Sequence, residues 1–269
     1  MDPILLVKAA IMGIVEGLTE FLPVSSTGHL ILAGSLLGFT DDKSKVFDIA
    51  IQTGAILAVV IVYWHRLSGA VAHLGDSAAA RRFIGNVAIG FLPAGVIGFL
   101  AYKSIKAYLF NAPVVATAFI VGGLIILWVE STHRQEIHHE ADELPLATAG
   151  LIGLAQAVAM IPGTSRSGAT IVGGRLLGLG RRAATEFSFF LAIPTMLGAF
   201  AKEAFDFRHE LNSGNLGLIG LGFLVAFVSA YLVIRPFLEY VSTRGFIPFA
   251  YYRIILGGII VAFTVTVGL

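Results

Sequence analysis

Four stretches of this chain run apolar with scarcely an interruption: 49–63, 112–129, 216–234 and 254–269. Each approaches the ~20 residues that carry an α-helix across a bilayer. None alternates polar with apolar as the short strands of a membrane barrel do. Charged residues make up only 13% of the 269 residues, against 57% hydrophobic. A soluble domain carries about 25% charged residues, so too little charge is present here to coat a water-facing surface. The fold class that follows is an all-α polytopic integral membrane protein.

About six transmembrane helices are expected, near 46–64, 84–101, 111–129, 185–203, 215–234 and 250–268. The N-terminal apolar stretch is expected to stay in the mature protein, because Lys8, Glu16 and Glu20 interrupt it and no small-x-small cleavage site follows. The net charge of +1 and the lack of a basic tract give no reason to expect nucleic acid as a partner. The absence of cysteine excludes disulfides, thiolate metal sites and a cysteine nucleophile.

Two apolar stretches are not continuous spans. Residues 4–37 are broken at Pro23 by a polar cluster, EGLTEFLPVSSTGH, and residues 146–178 are broken at Pro162 by PGTSRSGAT. Proline, small residues and hydroxyls at membrane depth fit a helix that enters, breaks and turns back, with its irregular backbone buried in protein. The two breaks also resemble each other. GHLILAGSLLG at 28–38 aligns without gaps to GATIVGGRLLG at 168–178, and Gly13–Glu16 parallels Gly153–Gln156 upstream. Downstream, FDIAIQT at 47–53 echoes FFLAIPT at 189–195. The expectation is one membrane domain, 1–269, built from two broken re-entrant helix pairs in an internal repeat, with halves at roughly 1–129 and 146–269. Three spans lie between the breaks, an odd number, so the repeat should be inverted.

Between the halves, ESTHRQEIHHEADEL at 130–144 is rich in histidine and acidic residues, but its spacing matches no defined metal motif. It reads as a solvated loop. Orientation follows from the cations. Arg66, Arg81, Arg82, Arg134, Arg181, Arg182, Arg235 and Arg244 fall on one side, and Lys43, Lys45, Lys103, Lys106, Lys202 and Arg208 on the other. The arginine side is expected in the cytoplasm.

Chemistry should reside in the two breaks. Glu16 and Glu20 stand i, i+4 and share a helix face. Two adjacent carboxylates in a low-dielectric site require a divalent metal, an arginine or a proton. Ser25 or Ser26 can cap the helix that follows Pro23. Ser26 and His29 stand i, i+3, a spacing that suits a nucleophile and a proton carrier. In the second break, glycines, hydroxyls and a helix N-terminus form an anion cradle, and Arg166 offers a planar five-donor fork for phosphate. Arg166 could equally neutralise Glu16 or Glu20. Carboxylates and a histidine on one break, with arginine and hydroxyls on the other, suit phosphoryl chemistry on a phosphate-bearing lipid. A transporter or lipid flippase is the alternative, because inverted repeats with broken helices are also transporter architecture.

At these residues the chain resembles the undecaprenyl-diphosphate phosphatases of the bacitracin-resistance type, across nearly its whole length. The resemblance implies hydrolysis of undecaprenyl diphosphate to the monophosphate, which recycles the carrier lipid of cell-wall synthesis. It implies a requirement for a divalent metal ion, magnesium or calcium, and residence in the bacterial inner membrane with the site reached from the periplasmic side. Its partners would be the polyprenyl diphosphate and the bilayer, and homo-oligomerisation is left open. Carried over by position, Glu20, Ser26, His29 and Arg166 are the expected catalytic residues, and Glu16 and Glu20 the metal ligands. Ser25, Thr27, Ser165, Ser167, Gly168 and Thr170 are the expected substrate-binding residues. Whether Ser26 or a water attacks phosphorus stays open at this point.

Overall fold

The structure, a computed structural model, describes residues 2–39, 43–132, 135–206 and 216–267. Arg134 and Arg208 lie outside the described residues, as do the side chains of Lys43, Lys45, Lys103 and Lys106. The first half contains α1 (Pro3–Thr19), α2 (Ser26–Leu37), α3 (Lys43–Val62), α4 (Trp64–Ala72), α5 (Ala78–Leu109) and α6 (Ala112–Ser131). The second contains α7 (Leu146–Val158), α8 (Arg166–Leu176), α9 (Arg181–Asp206), α10 (Leu216–Arg244) and α11 (Ile247–Val267). Local signals set several boundaries. Asp2 caps α1 through the Ile4 amide at 2.9 Å with Pro3 in the first turn, and Asn111 caps α6 through the Val114 amide at 3.0 Å.

Among the described residues five helices are long and apolar enough to span a membrane, and α3 with α4 makes a sixth if the pair, bent by 73°, counts as one crossing. The six-span expectation therefore holds, with two corrections of detail. The first span does not run straight past Val62 but turns there into α4, which carries Arg66 on a helix rather than on a loop. The span expected at 84–101 lies inside a much longer helix, α5, which absorbs Pro93.

The halves interlock rather than stand apart. α1 packs on α10, and α7, its counterpart, packs on α5. The first helix of each half thus docks on a long helix late in the other half. The repeated glycines make both contacts possible. A Cβ at Gly13 would lie 2.7 Å from the Gly222 carbonyl oxygen, and one at Gly17 would lie 2.7 Å from Ser229 Cβ. At Gly153 a Cβ would meet the backbone of Gly90. Small residues at i, i+4 let helix backbones touch where packing, not hydrophobicity, holds membrane helices together.

The stretch after α6 is solvated only in part: Gln135, Glu136, Ile137, His139, Glu140 and Glu143 are exposed, but the segment is anchored to the fold. Ala141 and Leu144 are fully buried. The amide of Ile137 donates to the Gly178 carbonyl at 2.7 Å, and that of Gly180 to the His138 carbonyl at 2.9 Å. Arginines from two helices answer its acids, Arg66 with Asp142 at 2.7 Å and Arg175 with Glu136 at 2.6 Å, while Arg181 pairs with Glu130 at the end of α6 at 2.8 Å. These partners are remote in sequence, so composition alone reads the segment as wet. It is a strap docked on α4, α8 and the turn between α8 and α9.

Candidate active site

Each broken span stops at its proline region and restarts on a serine. Ser25 and Ser165 cap α2 and α8, accepting the amide hydrogens of Gly28 at 3.5 Å and Gly168 at 3.0 Å. Both serines have positive φ, 69° and 74°, and among the described residues no other non-glycine does. Such a conformation costs about 1–3 kcal/mol and persists only where the surroundings impose it. The two breaks thus share one local backbone geometry at their capping serines.

Side chains join the two breaks directly. Arg166 donates to Glu20 Oε1 at 2.7 Å, and the Ser26 hydroxyl donates to Glu20 Oε2 at 2.5 Å. The Ser167 hydroxyl crosses to the Leu22 carbonyl at 2.7 Å and lies 3.0 Å from the Ser165 hydroxyl. Thr170 donates to Ser188 Oγ at 2.7 Å, and Ser188 offers its carbonyl to Arg166 at 2.9 Å. Glu20, Ser25, Ser26, Ser165, Ser167 and Thr170 are all buried. The N-termini of α2 and α8 thus converge on one polar cluster. Their first amides have no partner within the helix, and both dipoles favour negative charge there.

Two expected relations are not the ones found. Ser26 is hydrogen-bonded to Glu20, not to His29. The spacing i, i+3 puts Ser26 and His29 on one helix face, but the chain reversal at Pro23 brings Glu20 back over the serine. The imidazole instead lies between the Ser25 carbonyl, 2.7 Å from Nδ1, and the Tyr252 hydroxyl, 2.6 Å from Nε2. Thr27 is exposed, and no described hydrogen bond ties its side chain to the cluster. Gly168 takes part through its amide, which caps α8.

Of the three ways to satisfy the paired carboxylates, arginine serves Glu20. Glu16 is different: it is fully buried and both its carboxylate oxygens lack a hydrogen-bond partner. Asp48 lies near enough for its charge to act on Glu16. Among the described residues no three His, Asp or Glu side chains gather into a ligand cluster. A magnesium-type ion needs no such cage, since it is commonly held by one or two carboxylates together with substrate phosphates. The unpartnered oxygens of Glu16, one helical turn from Glu20, fit that mode of binding.

Sequence reasoning passed over Arg253. It sits in the last span, 1% exposed. Its guanidinium donates to the carbonyls of Pro23 at 3.0 Å, Gly163 at 3.0 Å and Thr164 at 2.8 Å, and to Ala118 at 2.9 Å and Phe119 at 3.3 Å. One side chain therefore holds both breaks. A charge inside an apolar span is the signal that could have found it.

The chain is similar to known proteins over nearly its whole length. The undecaprenyl-diphosphatase of Variovorax paradoxus (strain S110) is 58% identical over 97% of this chain and 96% of its own length. That of Acidovorax ebreus (strain TPSY) is 56% identical over 96% and 94%. The undecaprenyl-diphosphatase of Methylococcus capsulatus (strain ATCC 33009 / NCIMB 11132 / Bath) is 55% identical over 95% and 93%. Residues 9–259 match the family described as bacitracin resistance protein BacA, and with relatives this similar over nearly the whole chain, the protein belongs to that family.

Proposed function

We propose that this protein is a membrane phosphatase that hydrolyses undecaprenyl diphosphate to undecaprenyl phosphate and inorganic phosphate. One observation carries the reading: Arg166, Glu20 and Ser26 form a continuous hydrogen-bonded chain across the two breaks. That chain holds a fork for phosphate, a base and a hydroxyl nucleophile at the convergence of two helix N-termini. A carrier would need the anion site but not the activated hydroxyl, so hydrolysis is favoured over transport.

Ser26 attacks the terminal phosphorus in this scheme. The Oγ–P bond forms, the bond from phosphorus to the lipid phosphate oxygen breaks, and the Ser26 proton passes to Glu20 Oε2. The lipid monophosphate is a stable leaving group and needs no acid. Water then attacks the phosphoserine, Ser26 recovers its proton from Glu20, and His29 takes the proton lost by the water. Arg166 turns from Glu20 to the transferring phosphoryl group, where its parallel N–H groups match the phosphate oxygens. Ser165, Ser167, Thr170 and the Gly168 turn hold Arg166 and the α8 N-terminus in place. A divalent cation held by Glu16 and Glu20 would add charge stabilisation to the phosphoryl oxygens.

The membrane location follows from the spans. The arginine distribution supports a cytoplasmic arginine side, and membership of the family supports a bacterial inner membrane with the site reached from the outer side. Phosphate release by the purified protein in detergent tests the reading, because hydrolysis needs no sealed compartment and transport does. Wild type should release phosphate from undecaprenyl diphosphate, Ser26→Ala should not, and Arg166→Lys should fold yet lose most of its kcat. Full turnover by Ser26→Ala would remove the serine from the chemistry.

A further inference from the structure

His29 has both ring nitrogens engaged, and the two partners differ in kind. The Ser25 carbonyl at Nδ1 can only accept, so Nδ1 carries a proton. The Tyr252 hydroxyl at Nε2 can donate or accept. With the ring neutral, Tyr252 donates to the Nε2 lone pair. With the ring protonated, Nε2–H donates to the Tyr252 oxygen. The contact serves both states without movement of a heavy atom. Packing fixes the ring as well: Tyr252 lies parallel to it within 6° at 5.5 Å, and Phe119 closes another side at 5.8 Å.

A proton entering or leaving His29 must therefore cross the contact between Nε2 and Tyr252. We propose that Tyr252, on α11, completes the acid/base apparatus by orienting His29 and relaying its proton. The inference rests on the reading of the site as a diphosphate hydrolase in which His29 takes a proton from water. In that step one water O–H bond breaks as the water oxygen bonds to phosphorus. The released proton forms a new O–H bond on Tyr252, while the proton already on Tyr252 moves to Nε2. Tyr252 ends as it began. The residue is 45% exposed and not enclosed by protein, whereas its neighbour Arg253 is 1% exposed and wholly taken up by backbone carbonyls. Ser26 has Glu20 as its own proton acceptor, which leaves His29 and Tyr252 free for the water step.

The test is a double-mutant cycle on the full-length protein in detergent, read as steady-state phosphate release. Tyr252→Phe keeps the ring and removes the hydroxyl. It should lower kcat by about tenfold or more, up to the ~10²–10⁴-fold contribution of general acid–base catalysis, with KM within about twofold of wild type. On a His29→Ala background the same change should cost nothing further, because Tyr252 acts through His29. Tyr251→Phe, one residue away on the same helix, should behave as wild type. Tyr252→Phe at wild-type kcat beside a crippled His29→Ala would overturn the relay alone. Losses that multiply in the double variant would also overturn it. His29→Ala at full rate would remove the histidine from the reaction, and the relay with it.

Discussion

Replacing Arg253 by methionine should unfold the site and most of the protein with it. Methionine fills much of the space of arginine but donates no hydrogen bond. The carbonyls of Pro23, Gly163 and Thr164 lie in the two breaks, outside any helix, and no described backbone amide pairs with them. Each would become a buried acceptor without a donor, at ~1–3 kcal/mol. Three such losses are on the order of 3–9 kcal/mol, against a total stability of about 5–15 kcal/mol for an ordinary domain. The carbonyls of Ala118 and Phe119 belong to α6 and retain their helical role, so their loss matters less. Arg253→Lys is the informative companion. An ammonium has three donors at one point and cannot span carbonyls from both breaks, so the protein should fold with the breaks misaligned and kcat reduced. Thermal inactivation in detergent, with phosphate release measured before heating, separates the two effects. An Arg253→Met variant with the wild-type inactivation midpoint and rate would refute the argument that this guanidinium holds the site together.

Glu16→Gln should lower the affinity for an activating divalent cation, seen as a higher metal concentration for half-maximal phosphate release and weaker metal-induced thermal stabilisation. Undiminished activity of wild type in excess chelator would exclude the cation. Gly17→Leu should prevent α1 from seating on α10, because its first side-chain carbon already meets the Ala226 and Ser229 backbone and side chain. The expected loss is several kcal/mol, in the range of severe overpacking, measured as loss of folded protein after extraction. Cysteines introduced at Asp76 and Ser104, near opposite ends of α5, should differ in labelling by an impermeant thiol reagent in intact cells. The arginine distribution predicts labelling at Ser104 and protection at Asp76, and the chain has no native cysteine to interfere.

The apolar runs settled the membrane class and the approximate position of most spans by themselves, because a bilayer forces every backbone hydrogen bond into the helix and leaves little else for such runs to do. The two breaks were equally legible, since proline and clustered hydroxyls are too costly at that depth to be incidental. Sequence also placed Glu20 and Arg166 on opposite sides of one repeat, with their neutralisation among the options. What it could not decide was pairing across the fold. Ser26 was matched to His29 because helical spacing sees only neighbours three or four residues away, whereas the turn at Pro23 carries Glu20 back over the serine. Tyr252 meets His29 across 223 residues, and Arg253 reaches both breaks from the last helix. The acidic strap after α6 gains its arginine partners only when α4 and α8 assemble around it. Local periodicity reports which face a residue occupies, but hydrogen bonds of a buried group go to whatever the tertiary packing delivers, and that is a property of the whole chain.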